Sequence, residues 1–234
     1  MSESSHAIAP VLESPTPEQM KEFWTQVGRG QITKDRLQRF LRGGNRGDLP
    51  DINWQKAYAL LGMSEEYAEF AKTQSVKEDP NLWIVPVIKG ITCNKVVSVL
   101  RRAGVDVSLY VDDLDKDVTT NDRDQNRDGS YAIGFHRTIE ADEENKNLSA
   151  NKLAKRNHKG ITLLERLLLE LGYFLTTGRH LDEKNWTLCA GSRHSGGHVP
   201  RVRWDSGDRG VDVCWSSPDD SRACLRSRSA VLPA

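Results

Sequence analysis

Apolar residues recur at helical spacing in the first third of the chain. Thr16 and Pro17 open a predicted helix running to about Val27, with Met20, Phe23, Trp24 and Val27 along one side. Gly28 and Gly30 break it. Thr33 caps a second helix that carries Leu37, Phe40 and Leu41 and stops at Gly43-Gly44. Residues 52–73 read as helical too, restarting at Ser64 after Gly62. Trp54, Tyr58, Leu61, Tyr67 and Phe70 are their candidate buried positions. Residues 1–16 are polar and punctuated by proline, so they are expected to be disordered. Residues 17–78 are expected to form a small helical module.

From residue 80 the pattern becomes mixed. Leu82 to Ile88 is an apolar, β-rich run broken by Pro86, which suits an edge strand or a bulge. Thr92 caps a helix to about Ala103, stopped by Gly104. Val105 to Val111 alternates as a strand, residues 112–130 read as an Asp-rich loop, and Tyr131 to Ile139 as another strand. Residues 140–160 are charged and irregular. Ile161 to Leu175 is the strongest helix, with Leu163, Leu164, Leu167, Leu168 and Leu171 in one stripe. After Asn185 only short strands remain: Trp186 to Ala190, Val199 to Asp205, Val211 to Trp215, and Leu225 to Leu232. The fold class expected is α+β, a mixed domain over 80–234 preceded by the helical module.

Composition sharpens this picture in two ways. Over the 234 residues, Lys+Arg and Asp+Glu are both 33, which disfavours a uniformly basic nucleic-acid binder. No apolar run is long enough to cross a membrane, and the N-terminus lacks the basic start and apolar core of a secretory signal. A cytoplasmic protein is expected. The second feature is regional. Residues 1–184 hold 13 Lys, 14 Glu, 7 Gln and 3 Met, a rate that predicts roughly ten such residues in the last 50. None occurs there.

Familiar catalytic and ligand motifs are weak. Asp124, Asn126, Asp128 and Gly129 match the opening of a calcium loop, but Phe135 stands where the bidentate Glu should be. A solvated loop is the better reading. His194 and His198 are four apart, but Gly196 and Gly197 between them argue against the helix that would aim both at one metal. Cys93, Cys189, Cys214 and Cys224 form no CxxC pair. No metal, cofactor or catalytic residue is expected.

The last 50 residues carry the most information. In VPRVRWD and VDVCWS, alternation would turn Val202, Trp204, Val211, Val213 and Trp215 inward. Arg201, Arg203, Asp205, Asp212, Cys214 and Ser216 would then share the outer face. That outer set has no common chemistry. Its neighbours add Gly, His and Ala, and all seven of these residue types can be written by codons ending in C or T. Each is reachable from an Asn codon by changing its first two adenines. Lys, Glu, Gln and Met cannot end in a pyrimidine; nor can Trp, which stands at the inward positions.

The segment WTLCAGSRHSGGHVPRVRW, with VDVCWSSPDD and LRSRSAV after it, resembles the variable region of diversity-generating retroelement target proteins. These are similar to the formylglycine-generating-enzyme branch of the C-type lectin-like fold. Leu188 to Arg193 stands at that branch's LRGGSW-type strand. Leu225 to Val231 stands at its closing strand, though without the usual GFR ending. NLWIVPVIKGITCNKVV, LYVDDLDKDVTTNDRD and GITLLERLLLEL look like members from uncultivated small-genome bacteria. The resemblance implies a C-type lectin-like domain over 80–234, with a variable region at about 189–231. It also implies a surface diversified by error-prone copying of template adenines.

The ligand-binding face it implies comprises His194, His198, Arg201, Arg203, Asp205, Asp212, Cys214, Ser216, Ser217, Asp219, Arg222, Ala223 and Cys224, with Gly196 and Asp220 as further candidates. The partner expected is a protein or cell-surface ligand, with a second protein contact through the helical module. Neither nucleic acid nor membrane is expected as a partner. Two other classes stay open: a fixed-specificity lectin, and an enzyme of the formylglycine-generating type, which would need a well-placed cysteine pair.

Overall fold

A computed structural model describes residues 16–30, 32, 49–73 and 79–232 of the chain. Contacts divide it into two compact units, Met1–Asp48 and Leu49–Ala234. In the first, helix α1 (Pro17–Gly28) starts at the predicted cap: Thr16 Oγ1 accepts from the Gln19 backbone N–H and the Gln19 side chain accepts from the Thr16 N–H. The second predicted helix, from Thr33, and the expected disorder of residues 1–15 lie outside the described residues.

The second unit opens with α2 (Trp54–Leu60) and α3 (Ser64–Thr73), joined through Gly62 at φ +64°. Residues 17–78 were expected to form one module. The structure instead assigns this hairpin to the C-terminal unit, and the reason is burial. Tyr58, Leu61 and Met63 belong to the same apolar cluster as Val85, Leu167 and Val213. The Tyr58 hydroxyl also donates to the Pro86 carbonyl at 2.6 Å. A two-helix hairpin has too little apolar surface to be buried on its own.

Among the described residues, β1 (Leu82–Val87) pairs only with β4 (Tyr131–His136), antiparallel, so Pro86 sits in a two-stranded ribbon where its missing donor is tolerated. α4 (Cys93–Arg102) is capped by Thr92 and leads to β2 (Asp106–Leu109). The stretch read as a loop over 112–130 contains α5 (Leu114–Asp117), β3 (Val118–Asn121) and α6 (Gln125–Asp128). Asp113 and Asp124, which looked like solvated loop residues, are their N-caps. Residues 140–160 likewise hold a 3₁₀ turn at Glu143–Asn145 and α7 (Ala150–Lys155).

α8 (Leu163–Thr177) has the predicted leucine stripe, a Thr162/Glu165 capping box and a left-handed Gly178 at its end. Its other flank is buried too, including Glu165, Arg166 and Glu170. α8 packs against β1, β7 and α4.

The main sheet has the strand order β2-β8-β7-β5-β9, with β5 (Trp186–Leu188), β7 (Val199–Asp205), β8 (Gly210–Ser216) and β9 (Leu225–Arg226). β7 runs antiparallel to β5 and β8. β2 lies parallel to β8 and β9 parallel to β5. β6 (Ser192–His194) pairs with β3 apart from this sheet. The unit is therefore α+β. The strand expected over Leu225 to Leu232 is shortened to two residues. Beyond it the tail leaves the sheet, and Ser229 bridges Gly160 while Val231 bridges Gly134.

Candidate functional site

The β7–β8 hairpin sorts its side chains as alternation predicts. Val202, Val211 and Val213 are at most 1% exposed and belong to the main core, with Trp204 and Trp215 packed half-buried against it. Arg201, Arg203, Asp205, Asp212 and Cys214 lie on the opposite face, half-buried among one another. Register sets their pairing: Arg203 is directly across from Asp212, and Arg201 from Cys214. Arg203 Nε is 3.5 Å from Asp212 Oδ2, and Arg203 also contacts Asp205. Arg201 Nη2 approaches Cys214 Sγ at 3.6 Å. Burial pushes the Asp212 carboxyl above its ordinary value, with Arg203 pulling the other way.

Trp186 completes this face from β5. The guanidinium carbons of Arg201 and Arg203 lie 4.3 and 4.5 Å from the centroid of its ring. Both contacts have cation–π geometry. Sequence reading did not single out Trp186. The signal was there, since Thr187 and Cys189 alternate inward and leave Trp186 on the arginine side.

Other predicted positions sit differently. Ser216 was placed on the exposed face, but it is only 4% exposed. It stands directly across from Val199, and Val199 packs with Ala150, Leu153, Leu188 and Leu225 in a second apolar cluster. Helix α7 thus covers that end of the outer face, and only the Arg201–Asp205 end stays open. Asp205 is partly a turn residue: its Oδ1 accepts from the Gly207 N–H at 2.8 Å, the first cause of its lowered carboxyl.

His194 and His198 lie off the arginine face. The His194 ring rests 4.8 Å from Trp215, which points away from Cys214, and its Nδ1 accepts from Gly196 N at 2.9 Å. That hydrogen bond is the local alternative to a metal, and the two histidines do not stand in a metal cluster among the described residues. Gly196 lies in the β6–β7 turn and is exposed.

The loop after β8 carries the rest. Ser217, Asp219, Arg222 and Ala223 are exposed and Cys224 is half-buried. Asp219 accepts from Asn151 Nδ2 at 2.7 Å, which ties the loop to α7. Asp220 pairs with Arg222, and that contact leads the lowering of its carboxyl. Arg222 in turn has Cys224 and Cys214 among its electrostatic neighbours, which brings this loop alongside the β8 face.

The calcium-like loop is used internally. Asp124 Oδ1 accepts from the Asn126 and Arg127 N–H groups, and Arg127 holds both oxygens of Asp128 at 2.7 Å. Cys189 is buried in the core and burial pushes its thiol well up, the opposite of an activated nucleophile.

No protein-family profile, characterised protein or solved structure matches this chain. Among the described residues, no helix is long and apolar enough to cross a membrane.

Proposed function

We propose that this chain is a ligand-display protein of the retroelement-diversified kind, built on a C-type lectin-like domain, and that it does no catalysis. The single observation that carries this reading is the division of labour across β7 and β8. One face is apolar and packs on the core; the other mixes arginine, aspartate and cysteine without converging on one chemistry. A surface substitution usually changes stability by about 0.5 kcal/mol or less, whereas core truncations cost several. Such a hairpin can therefore exchange its outer residues while the fold persists. The binding surface is the open part of that face, around Arg201, Arg203, Asp212 and Cys214, with Ser217, Arg222 and Ala223 at its rim. Its ligand is a protein partner, gripped by arginine and aromatic contacts.

The deciding experiment is to sequence the DNA around the gene. A nearby near-copy of its 3′ coding end, differing where the copy has adenine, together with a reverse transcriptase gene, supports the reading. The absence of both overturns it.

One observation favours a fixed binding site instead. Arg201 and Arg203 converge on Trp186, a residue that randomised Asn codons cannot supply. Close paralogues separate the two readings, since a fixed lectin keeps both arginines and a diversified face scatters them while keeping Trp186.

A further inference from the structure

On another part of the second unit, the loop that leaves α7 meets the turn that leads into β6. Between them lies a cavity of about 170 Å³, lined by Asp122, Leu153, Asn157, Lys159 and Arg193 among others. We propose that this cavity is a binding site for inorganic phosphate. The inference is independent of the proposed display function.

Two glycines set the walls. A Cβ on Gly191 would come within 2.7 Å of the Gly160 carbonyl oxygen, and a Cβ on Gly160 within 2.8 Å of the Ala190 Cβ. Only glycine permits so close an approach of two backbones. It brings Lys159, beside one glycine, and Arg193, two residues past the other, to the same cavity. Backbone hydrogen bonds fix the arrangement. The Gly191 N–H donates to the Ile161 carbonyl at 3.0 Å, and the Asp122 N–H donates to the Gly191 carbonyl at 2.8 Å.

Arg193 is anchored but not satisfied. Its Nη1 donates to the Ala190 and Ser192 carbonyls, both at 2.8 Å. Among the described residues, nothing accepts from its Nε or Nη2 and no carboxylate forms an ion pair with it. The other buried arginines of this unit are treated differently: Arg123 holds Glu165, and Arg166 and Arg228 hold Asp182. Arg193 is half-buried, and burial works against its charge with only Asp122 in partial opposition. A guanidinium does not give up its proton, so the group stays cationic and calls for an anion. Exposed Lys159 adds a second cation with no ion pair of its own among the described residues.

Size and charge narrow the ligand. A single water needs about 10–15 Å³ of such space, so the cavity has room for a polyatomic ion. A phosphate group carries about −1.5 to −2 charges at pH 7, which two cations match. The guanidinium fork suits two of its oxygens, and the lysine acts as a point charge on a third. Asp122 selects among anions. Its carboxylate lines the same cavity and repels any oxyanion that has no proton to donate to it. Hydrogen phosphate has that proton; sulfate and an ionised carboxylate do not.

The test uses the full chain in a buffer without phosphate or sulfate, titrated with sodium phosphate in a calorimeter, with thermal unfolding followed in parallel. One equivalent should bind and raise Tm. Lys159→Gln, at an exposed position, and Arg193→Lys, which keeps the charge but loses the fork, should each weaken affinity by about tenfold or more. Lys155→Gln, a nearby exposed cation outside the cavity, should leave it unchanged. Sulfate should bind the native chain at least about tenfold more weakly than phosphate, and Asp122→Asn should remove that preference. The proposal is overturned if phosphate shows no saturable binding, or if Lys155→Gln weakens it as much as Lys159→Gln. Sulfate binding the native chain as tightly as phosphate overturns it as well.

Discussion

Arg228 Nη2 donates to Asp182 Oδ1 across 2.8 Å, and neither side chain reaches solvent. Asp182 gives its other oxygen to Arg166 at 2.8 Å and to the Thr187 hydroxyl at 2.5 Å. Arg166 also holds Glu170, and Arg228 donates onward to the Thr138 and Ile139 carbonyls. One aspartate thus joins α8, β5, the 138–141 turn and the C-terminal tail. Removing one partner from such a buried network leaves the others charged and unpaired, at a cost of about 3–5 kcal/mol. Asp182→Asn should therefore lower the urea stability by that order. Arg222→Ala, which removes an exposed pair, should cost less than about 1 kcal/mol.

The Asp124–Asp128 loop makes a prediction of opposite kind. Arg127, bonded to Asp128, is the leading reason that this carboxyl falls to about 2 from an ordinary 3.8. A carboxyl with a depressed folded value contributes stability above the unfolded value and loses it as the pH falls toward the folded one. The contribution should be present at pH 4 and above and disappear between pH 4 and about 2. Asp128→Asn should flatten the acid limb of the urea midpoint over that window. Added Ca²⁺ should leave Tm unchanged, because the guanidinium already occupies the carboxylate.

How much of this could be read beforehand depended on whether the cause was local. Thr16, Thr92 and Thr162 cap the helices that spacing predicted, and the outward–inward order of β7 and β8 follows from alternation alone. Asp113 and Asp124 were misread because a short capped helix and a solvated loop share one composition. The burial of Ser216 was invisible because α7, some 60 residues earlier, supplies its cover. The hairpin α2–α3 joined the second unit for a similar reason: its partners, such as Val85 and Leu167, are tens to about a hundred residues away. Arg166 and Glu170 lie beside the leucine stripe of α8, and their burial depends on Asp182 and Arg228, later in the chain, which complete their network.

The cysteines divide by burial. Cys93 and Cys189 are buried and burial raises both thiols, whereas Cys214 and Cys224 are half-exposed. Thiolate supply and access together set the alkylation rate. In native protein, iodoacetamide should modify Cys214 and Cys224 first, and Cys93 and Cys189 only on unfolding, as read by peptide mass spectrometry. Early labelling of Cys189 would contradict the assigned core and reopen the enzyme reading.

The display reading makes its sharpest claim where the outer face stops. Ser216 and Ser217 are neighbours in sequence and the same residue type, yet one is buried across from Val199 and the other is exposed. Ser217→Arg should change stability by about 0.5 kcal/mol or less, as surface changes do. Ser216→Arg would force a guanidinium into the space shared by Val199 and α7, and should cost about 1–3 kcal/mol or more through overpacking and lost solvation. Arg201→Ser and Arg203→Ser should behave like the Ser217 change, apart from the modest contacts of Arg201 with Trp186 and Cys214 and of Arg203 with Trp186, Asp205 and Asp212, while Val213→Ala should behave like a core truncation. Urea unfolding of these five variants checks the pattern. If Ser216→Arg proved neutral or Arg201→Ser severe, the boundary between frame and display face would be misplaced, and the proposed tolerance of β7 and β8 would fail with it.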